Sequence, residues 1–392
     1  MTKPDGTAES ADQHVLHTIA RRFDAWLMDK ALPLWWARGA DLAQGGFFEG
    51  LSQDGTPLRG FRRTRVQGRQ SWVYAVAGAM GWKGPWQPAA EQGLAYLEAK
   101  YRRPDGQFST SVSENGTVLD ATGVLYDHTF VLLAMAQLYK NFPVRTGLAQ
   151  AARELMQTQI TLRRHPAGGF REDAEQPFQS NAHMHLLEAA LAWCDADPGN
   201  LWDGLADEIA ELCLSRFIDP KHGFIREFFD SSWAPQVGDA GRHVEPGHQF
   251  EWSWLLERWG LLRGHEGARR AARTLFEIGT RGVDPGRGVA IDDMWDDFTA
   301  ARPTARLWPQ AERIKSAIAL MTASTGLART RYRTEAIAAS NALWRYLETP
   351  IAGLWWDRMA TDGNFISEPA PASSFYHIIC CISVLRQGCD DK

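Results

Sequence analysis

Histidines and carboxylates set among aromatic residues are the first chemistry-bearing feature of this 392-residue chain. The stretch from Glu245 to Leu256 reads EPGHQFEWSWLL. On a helix, His248, Glu251, Trp252, Leu255, Leu256 and Trp259 fall at offsets 0, 3, 4, 7, 8 and 11, a single inward stripe. Charge on such a stripe is tolerable where its upper end lines a solvated pocket. His185 and Glu188 repeat the spacing. A carboxylate three residues on can orient the imidazole or share substrate hydroxyls. A histidine in the first turn of a helix is favoured in its neutral form by the macrodipole, and neutral is what a general base must be. Arg69, His128, Glu312 and His377 open other apolar stripes, and with His185 and His248 they recur at intervals of 59, 57, 63, 64 and 65 residues. His128 also reads as a core histidine bonded to a loop carbonyl. His183, two residues from His185, points elsewhere on a helix and is expected to be structural. The remaining histidines, His14, His17, His165, His222, His243 and His265, lie outside the series and read as surface or loop residues. HExxH is missing, and His183 with His185 cannot chelate from one helix face, so no metal is expected unless its ligands come from separate helices. Neither GxGxxG nor GxxxxGK[ST] occurs, and no cofactor is implied.

The elements that must position these groups show in a glycine repeat. GGFFEGLSQDG, DGQFSTSVSENG, GGFREDAEQ, HGFIREFFD, RGVAIDDMWDD and GLWWDRMATDG each read as a short hairpin. Their markers Gly46, Gly106, Gly169, Gly223, Gly288 and Gly353 lie 60, 63, 54, 65 and 65 residues apart. After each hairpin comes a helical pattern that is apolar all round, as in RQSWVYAVAGAM, and then an amphipathic one, as in PAAEQGLAYLEAKY. The first kind belongs inside and the second outside. Twelve helices in six such pairs make an all-α fold, an (α/α)6 barrel of six inner and six outer helices with short hairpins at the active-site end. One domain over residues 1–392 is expected, with residues 1–12 a flexible tail. The order hairpin, inner helix, outer helix points all inner helices the same way, so their first turns should form a ring of ionisable groups.

Composition narrows the partners. With 42 Lys and Arg against 47 Asp and Glu, the net charge of −5 gives no nucleic-acid footprint. No apolar run reaches the length of a membrane span, and the N-terminus MTKPDGTAESADQH lacks an apolar signal segment, so neither nucleic acid nor membrane is an expected partner and the location is expected to be cytoplasmic. Five cysteines without CxxC spacing read as free thiols rather than a disulfide framework. Seventeen tryptophans suit both core filling and stacking on sugar rings. A monomer or homodimer is expected.

RVQGRQSWVYA, YDHTFVLLAMAQ, NAHMHLLEAALAW, EPGHQFEWSWLL, ARLWPQAERIK and PASSFYHI, in this order from about residue 20 to 387, resemble the N-acylglucosamine 2-epimerase superfamily, and within it the mannose isomerase branch. The resemblance implies the same barrel and the isomerisation or C2 epimerisation of an unphosphorylated monosaccharide, by ring opening and proton removal beside the carbonyl to a cis-enediolate. It implies His248 and His377 as the acid/base pair. Arg69, Asn181, His185 and Glu251 match sugar-binding and ring-opening residues, and Trp308, Glu312 and His128 complete the expected substrate-binding set. Arg69 would stabilise developing negative charge on the substrate oxygens. The first expectation is interconversion of D-mannose and D-fructose. The alternatives are a 2-epimerase acting on N-acylglucosamine/N-acylmannosamine, mannose or an oligosaccharide end, an isomerase of a sulfonated sugar, and an (α/α)6 glycoside hydrolase using Glu251 and Glu312. GFRRTR, from Gly60, is the one weak candidate for a phosphate cradle.

Overall fold

The computed structural model describes residues 6–142 and 146–390. Among them are twelve α-helices of more than ten residues: α1 Gly6–Trp26, α2 Thr64–Ala79, α3 Trp86–Lys100, α4 Leu125–Asn141, α5 Thr146–Arg163, α6 Ser180–Ala196, α7 Asn200–Leu212, α8 Pro246–Arg263, α9 Glu266–Arg281, α10 Leu307–Thr322, α11 Gly326–Leu347 and α12 Ala372–Asp390. The expected tail is thus helical from Gly6, since TAESADQH carries no breaker once past Pro4; its first five residues lie outside the described residues.

The chain divides into two compact units, each assembled from separated stretches. One holds residues up to Ala31, Glu245–Glu368 and His377 onward; the other holds Leu32–Val244 and Pro369–Tyr376. In the second unit α2, α4 and α6 pack successively on one another, and α3, α5 and α7 pack on their preceding helices. The two kinds differ as their sequences require. Nearly every residue of α2 from Thr64 to Ala77 is buried, whereas α3 buries only Ala89, Ala90, Gly93, Leu94, Tyr96 and Leu97. A short sheet joins Arg62–Arg63 to the hairpin of Ser111–Val112 and Val118–Asp120, in antiparallel register with Arg62 opposite Val112. Gly50–Leu51 pairs antiparallel with Ala370–Pro371.

In the first unit α8 packs on α9 and α10, and α11 on α10 and α1. α9 is the clearest amphipathic case, burying Ala268, Ala272, Leu275, Phe276 and Gly279 on one face. Pro246 opens α8 at a position where its missing N–H costs nothing, and Gly264 closes it in the left-handed conformation at φ 64°. Ser316 Oγ on α10 donates to Ser253 Oγ on α8 at 2.7 Å, and Ser253 Oγ donates to Ala272 O of α9 at 2.7 Å. Small hydroxyls therefore meet between these helices without stranding a polar atom.

All six marker glycines have φ between 72° and 102°, a region that residues with a Cβ rarely enter. The repeat legible in the sequence is therefore a repeat of one turn. All five cysteines are free, and no helix among the described residues is long and apolar enough to cross a membrane.

Candidate active site

The first turn of an inner helix does two jobs, and they fall two residues apart. In α2, Gln67 Oε1 accepts from Phe47 N at 2.8 Å while Nε2 donates to Phe47 O at 2.9 Å, fastening the hairpin. Gln310 in α10 does the same to Ala290, at 2.8 Å each way. In α4 and α6 the fastener is histidine: His128 Nε2 accepts from Phe108 N at 3.0 Å, and His183 Nε2 from Phe170 N at 2.9 Å. Burial pushes both histidines down to about 4, with Arg163 adding to the effect at His128 and His165 at His183. The structural reading of His183 agrees with its geometry. The expected sugar contact of His128 is corrected: the ring is wholly buried and bonded to backbone, so it belongs to the fastening series. Two residues beyond each fastener stand Arg69, His185 and Glu312, and on α4 that place is held by Phe130.

The first unit gathers the expected acid/base pair. His248 in the first turn of α8 and His377 in the first turns of α12 both pack against Trp308 of α10, with ring centroids 5.2 Å and 5.5 Å from it. The two imidazoles therefore stand no farther apart than those two separations together. Gly247 makes the approach possible, because a Cβ there would run into the Trp308 ring and reach Pro309 Cβ at 3.1 Å. Arg306 stacks on Trp308, its Cζ 5.2 Å from the ring centroid, and pairs with Asp292 at 3.0 Å and Glu245 at 3.3 Å. Glu245 also lies 4.0 Å from His248 Nδ1.

His377 Nδ1 donates to Glu312 Oε1 at 2.7 Å. That bond fixes the ring and leaves the Nε2 lone pair as its basic site. The other Glu312 oxygen is 2.7 Å from Lys315 Nζ, and Lys315 in turn lies 3.9 Å over the Trp254 ring. The expectation that Glu312 touches sugar is corrected by this placement: the carboxylate is fully buried between His377 and Lys315, with one oxygen on each. Glu251, expected beside His248, has a carboxylate oxygen within 4.8 Å of Glu312 and of a His377 nitrogen. These three could in principle ligate a metal, but the Lys315 ammonium already opposes the Glu312 charge, so the donor set reads as an ion-pair network.

The second unit holds the other expected binders. Arg69 donates to Tyr126 Oη at 3.0 Å and to Ser373 O at 3.4 Å, with its Cζ 4.0 Å over Phe130 and 5.2 Å over Tyr376. His185 lies against Phe130 at 4.7 Å and pairs through Nδ1 with Glu188 Oε2 at 3.3 Å, as the i, i+3 spacing requires. Tyr376 Oη donates to the same Glu188 oxygen. Asn181 Oδ1 is buried with no hydrogen-bond partner among the described residues, the condition of an acceptor awaiting a ligand hydroxyl. Sequence reasoning missed Tyr126, Phe130, Tyr376 and Lys315. All four lie inside quoted motifs, the first three in YDHTF and YHI beside ionisable residues and Lys315 at the end of ARLWPQAERIK.

A family model described as N-acylglucosamine 2-epimerase (GlcNAc 2-epimerase) matches residues 46–381. The mannose-6-phosphate isomerase of Rhizobium meliloti (strain 1021) is 46% identical over 377 residues, covering 95% of this chain and 97% of that protein. The D-mannose isomerase of Thermobifida fusca is 30% identical over 88% of this chain and 85% of its own length. The solved cellobiose 2-epimerase of Spirochaeta thermophila DSM 6192 superposes with a TM-score of 0.85 at 20% identity, covering 96% of this chain and 97% of that one, which shows the fold to be the (α/α)6 barrel. A relative 46% identical over nearly its whole length and a family match across six successive hairpins leave one conclusion: the chain belongs to the N-acylglucosamine 2-epimerase family of sugar isomerases and epimerases.

Proposed function

We propose that this protein is an aldose–ketose isomerase interconverting D-mannose and D-fructose. The observation that carries the reading is the fixed His377: a carboxylate holds one ring nitrogen, and Trp308 stacks beside the other histidine. In this reading His377 removes the proton at C2 of the opened sugar and returns it at C1, across one face of the cis-enediolate. His248 moves a proton at the ring oxygen or O1 during opening. By the family resemblance Arg69, Asn181 and His185 are sugar-binding residues, and a guanidinium is the kind of group that stabilises developing negative charge on oxygen. Three relatives bear mannose isomerase names, one of them with a phosphorylated substrate. The arginines of GFRRTR favour the free sugar, because each is already paired: Arg62 with Asp41, Arg63 with Glu49 and Arg65 with Asp127. A phosphate would have to displace a carboxylate. Against a hydrolase, Glu251 and Glu312 approach within 4.8 Å, closer than the roughly 6.5–9.5 Å that lets an inverting pair admit water.

The test is incubation with mannose in deuterated water, followed by identification of product and label position. Fructose carrying deuterium at C1 is expected, and His377→Asn should lose exchange by about 10²–10⁴-fold. Full exchange in that variant would remove His377 from the role. A second reading, 2-epimerisation with His248 as the opposite-face base, is favoured by the shared packing of both histidines on Trp308, and glucose as the product would select it. Mannose 6-phosphate turned over with higher kcat/KM than mannose would overturn the free-sugar assignment.

A further inference from the structure

The roles given to His377 and Glu312 leave a third buried ion without a purpose. Lys315 sits one turn beyond Glu312 on α10, wholly buried, its Nζ 2.7 Å from Glu312 Oε2 and 3.9 Å from the Trp254 ring centroid. An ammonium out of water is costly even when paired, and an apolar side chain would fill the same space more cheaply. The chemistry of the neighbouring histidine supplies a reason. A base that lifts a proton from one carbon and returns it to the next must bind it neither too weakly nor too strongly. A carboxylate on Nδ1 strengthens binding of a second proton to the ring, and a cation on the far oxygen of that carboxylate opposes the effect. Among the described residues of this unit, Arg306 also stacks on Trp308, but Asp292 and Glu245 oppose its charge. Glu251 brings a carboxyl oxygen within 4.8 Å, His248 lies across Trp308, and the Cys381 thiol, which burial pushes well above its ordinary range, stays neutral.

We propose that Lys315 is a positioning residue that acts through Glu312 to hold down the proton affinity of His377, so that one imidazole can both take and release the substrate proton. Its purpose rests on the isomerase reading. Its effect on the imidazole does not.

The experiment is a pH titration of the full-length protein carrying ¹³Cε1-labelled histidine, with the His377 resonance identified by its loss in His377→Asn. Lys315→Met should raise the His377 midpoint by about one pH unit or more, and Lys315→Arg should return most of that shift. The acid limb of kcat/KM should move with it. An unmoved midpoint in a folded Lys315→Met overturns the proposal. Should that variant not fold, Lys315→Gln, which keeps a neutral donor beside Glu312 and removes only the charge, takes its place. The midpoint should rise there too, and an unmoved midpoint in that folded variant overturns the idea. Because the titration needs no turnover, a shifted midpoint in a protein that does not isomerise mannose removes the assigned reaction and leaves the ion relay standing.

Discussion

Glu312 reaches His377 at Nδ1 from 65 residues away, and no substrate atom is needed to explain its position. Replacing it with glutamine keeps the shape and removes the charge. The amide can still accept from Nδ1–H, but it can also flip and present a donor, so the ring loses its fixed tautomer. Glu312→Gln should therefore lower kcat by about 10²–10⁴-fold with KM for the sugar little changed, because the group removed assists the proton transfer rather than binding the ground state. Steady-state kinetics decide it, and a raised KM at unchanged kcat would return Glu312 to the sugar-binding role that the sequence suggested. The suggestion had a physical origin. A helical stripe gives the direction in which a side chain points, but not which distant helix meets it there. His185 with Glu188 was legible because both partners share one helix, whereas His377 with Glu312 and Tyr376 with Glu188 are tertiary pairs.

At the scale of elements the glycines were the most legible feature, because a turn at positive φ admits little else, and all six markers have that conformation. The helices followed from period. What period could not supply was the phase of α4, where histidine occurs at the fastening position and a hydrophobic residue two places on, so that His128 stood in for Phe130. In α6 both places hold histidine, and only there did the sequence offer the comparison that separates them. The same close reading explains EPGH. Gly247 is helical, and its role is clearance for the Trp308 ring that both catalytic candidates pack on. Gly247→Ala improves helix propensity yet forces Trp308 aside, with an expected destabilisation of about 1–3 kcal/mol from overpacking and a loss of kcat. Urea unfolding checks the first and mannose turnover the second. A variant that is more stable and fully active would mean that Trp308 has room to move.

Taken over the whole molecule, the fastening series sets how the protein responds to acid. His128 and His183 are neutral and buried, held down to about 4 against an ordinary value of 6.5, chiefly by burial. In the unfolded chain both regain the ordinary value. Between those limits the unfolded state binds more protons, so stability is complete above about pH 6.5 and falls as the pH drops toward 4. Two-site linkage makes the loss about 2 kcal/mol per histidine by pH 5. Asp41, Asp219 and Asp284, held below the usual carboxylate range, lose their contribution at lower pH still. Asp127 and Glu172, which burial pushes upward, take up protons in the folded state and act in the opposite sense. The absolute slope is therefore a mixture, and a difference between variants isolates the histidines. Gln67 and Gln310 already perform the fastening with an amide that does not titrate, which makes glutamine the substitution the fold itself recommends. His128→Gln combined with His183→Gln should cost little at pH 7 and should lose less stability than the parent between pH 7 and pH 5, by a few kcal/mol in urea unfolding. Parallel losses in the two proteins would show that these histidines are protonated in the folded state or reached by water there, and the fastening geometry would then have to be wrong.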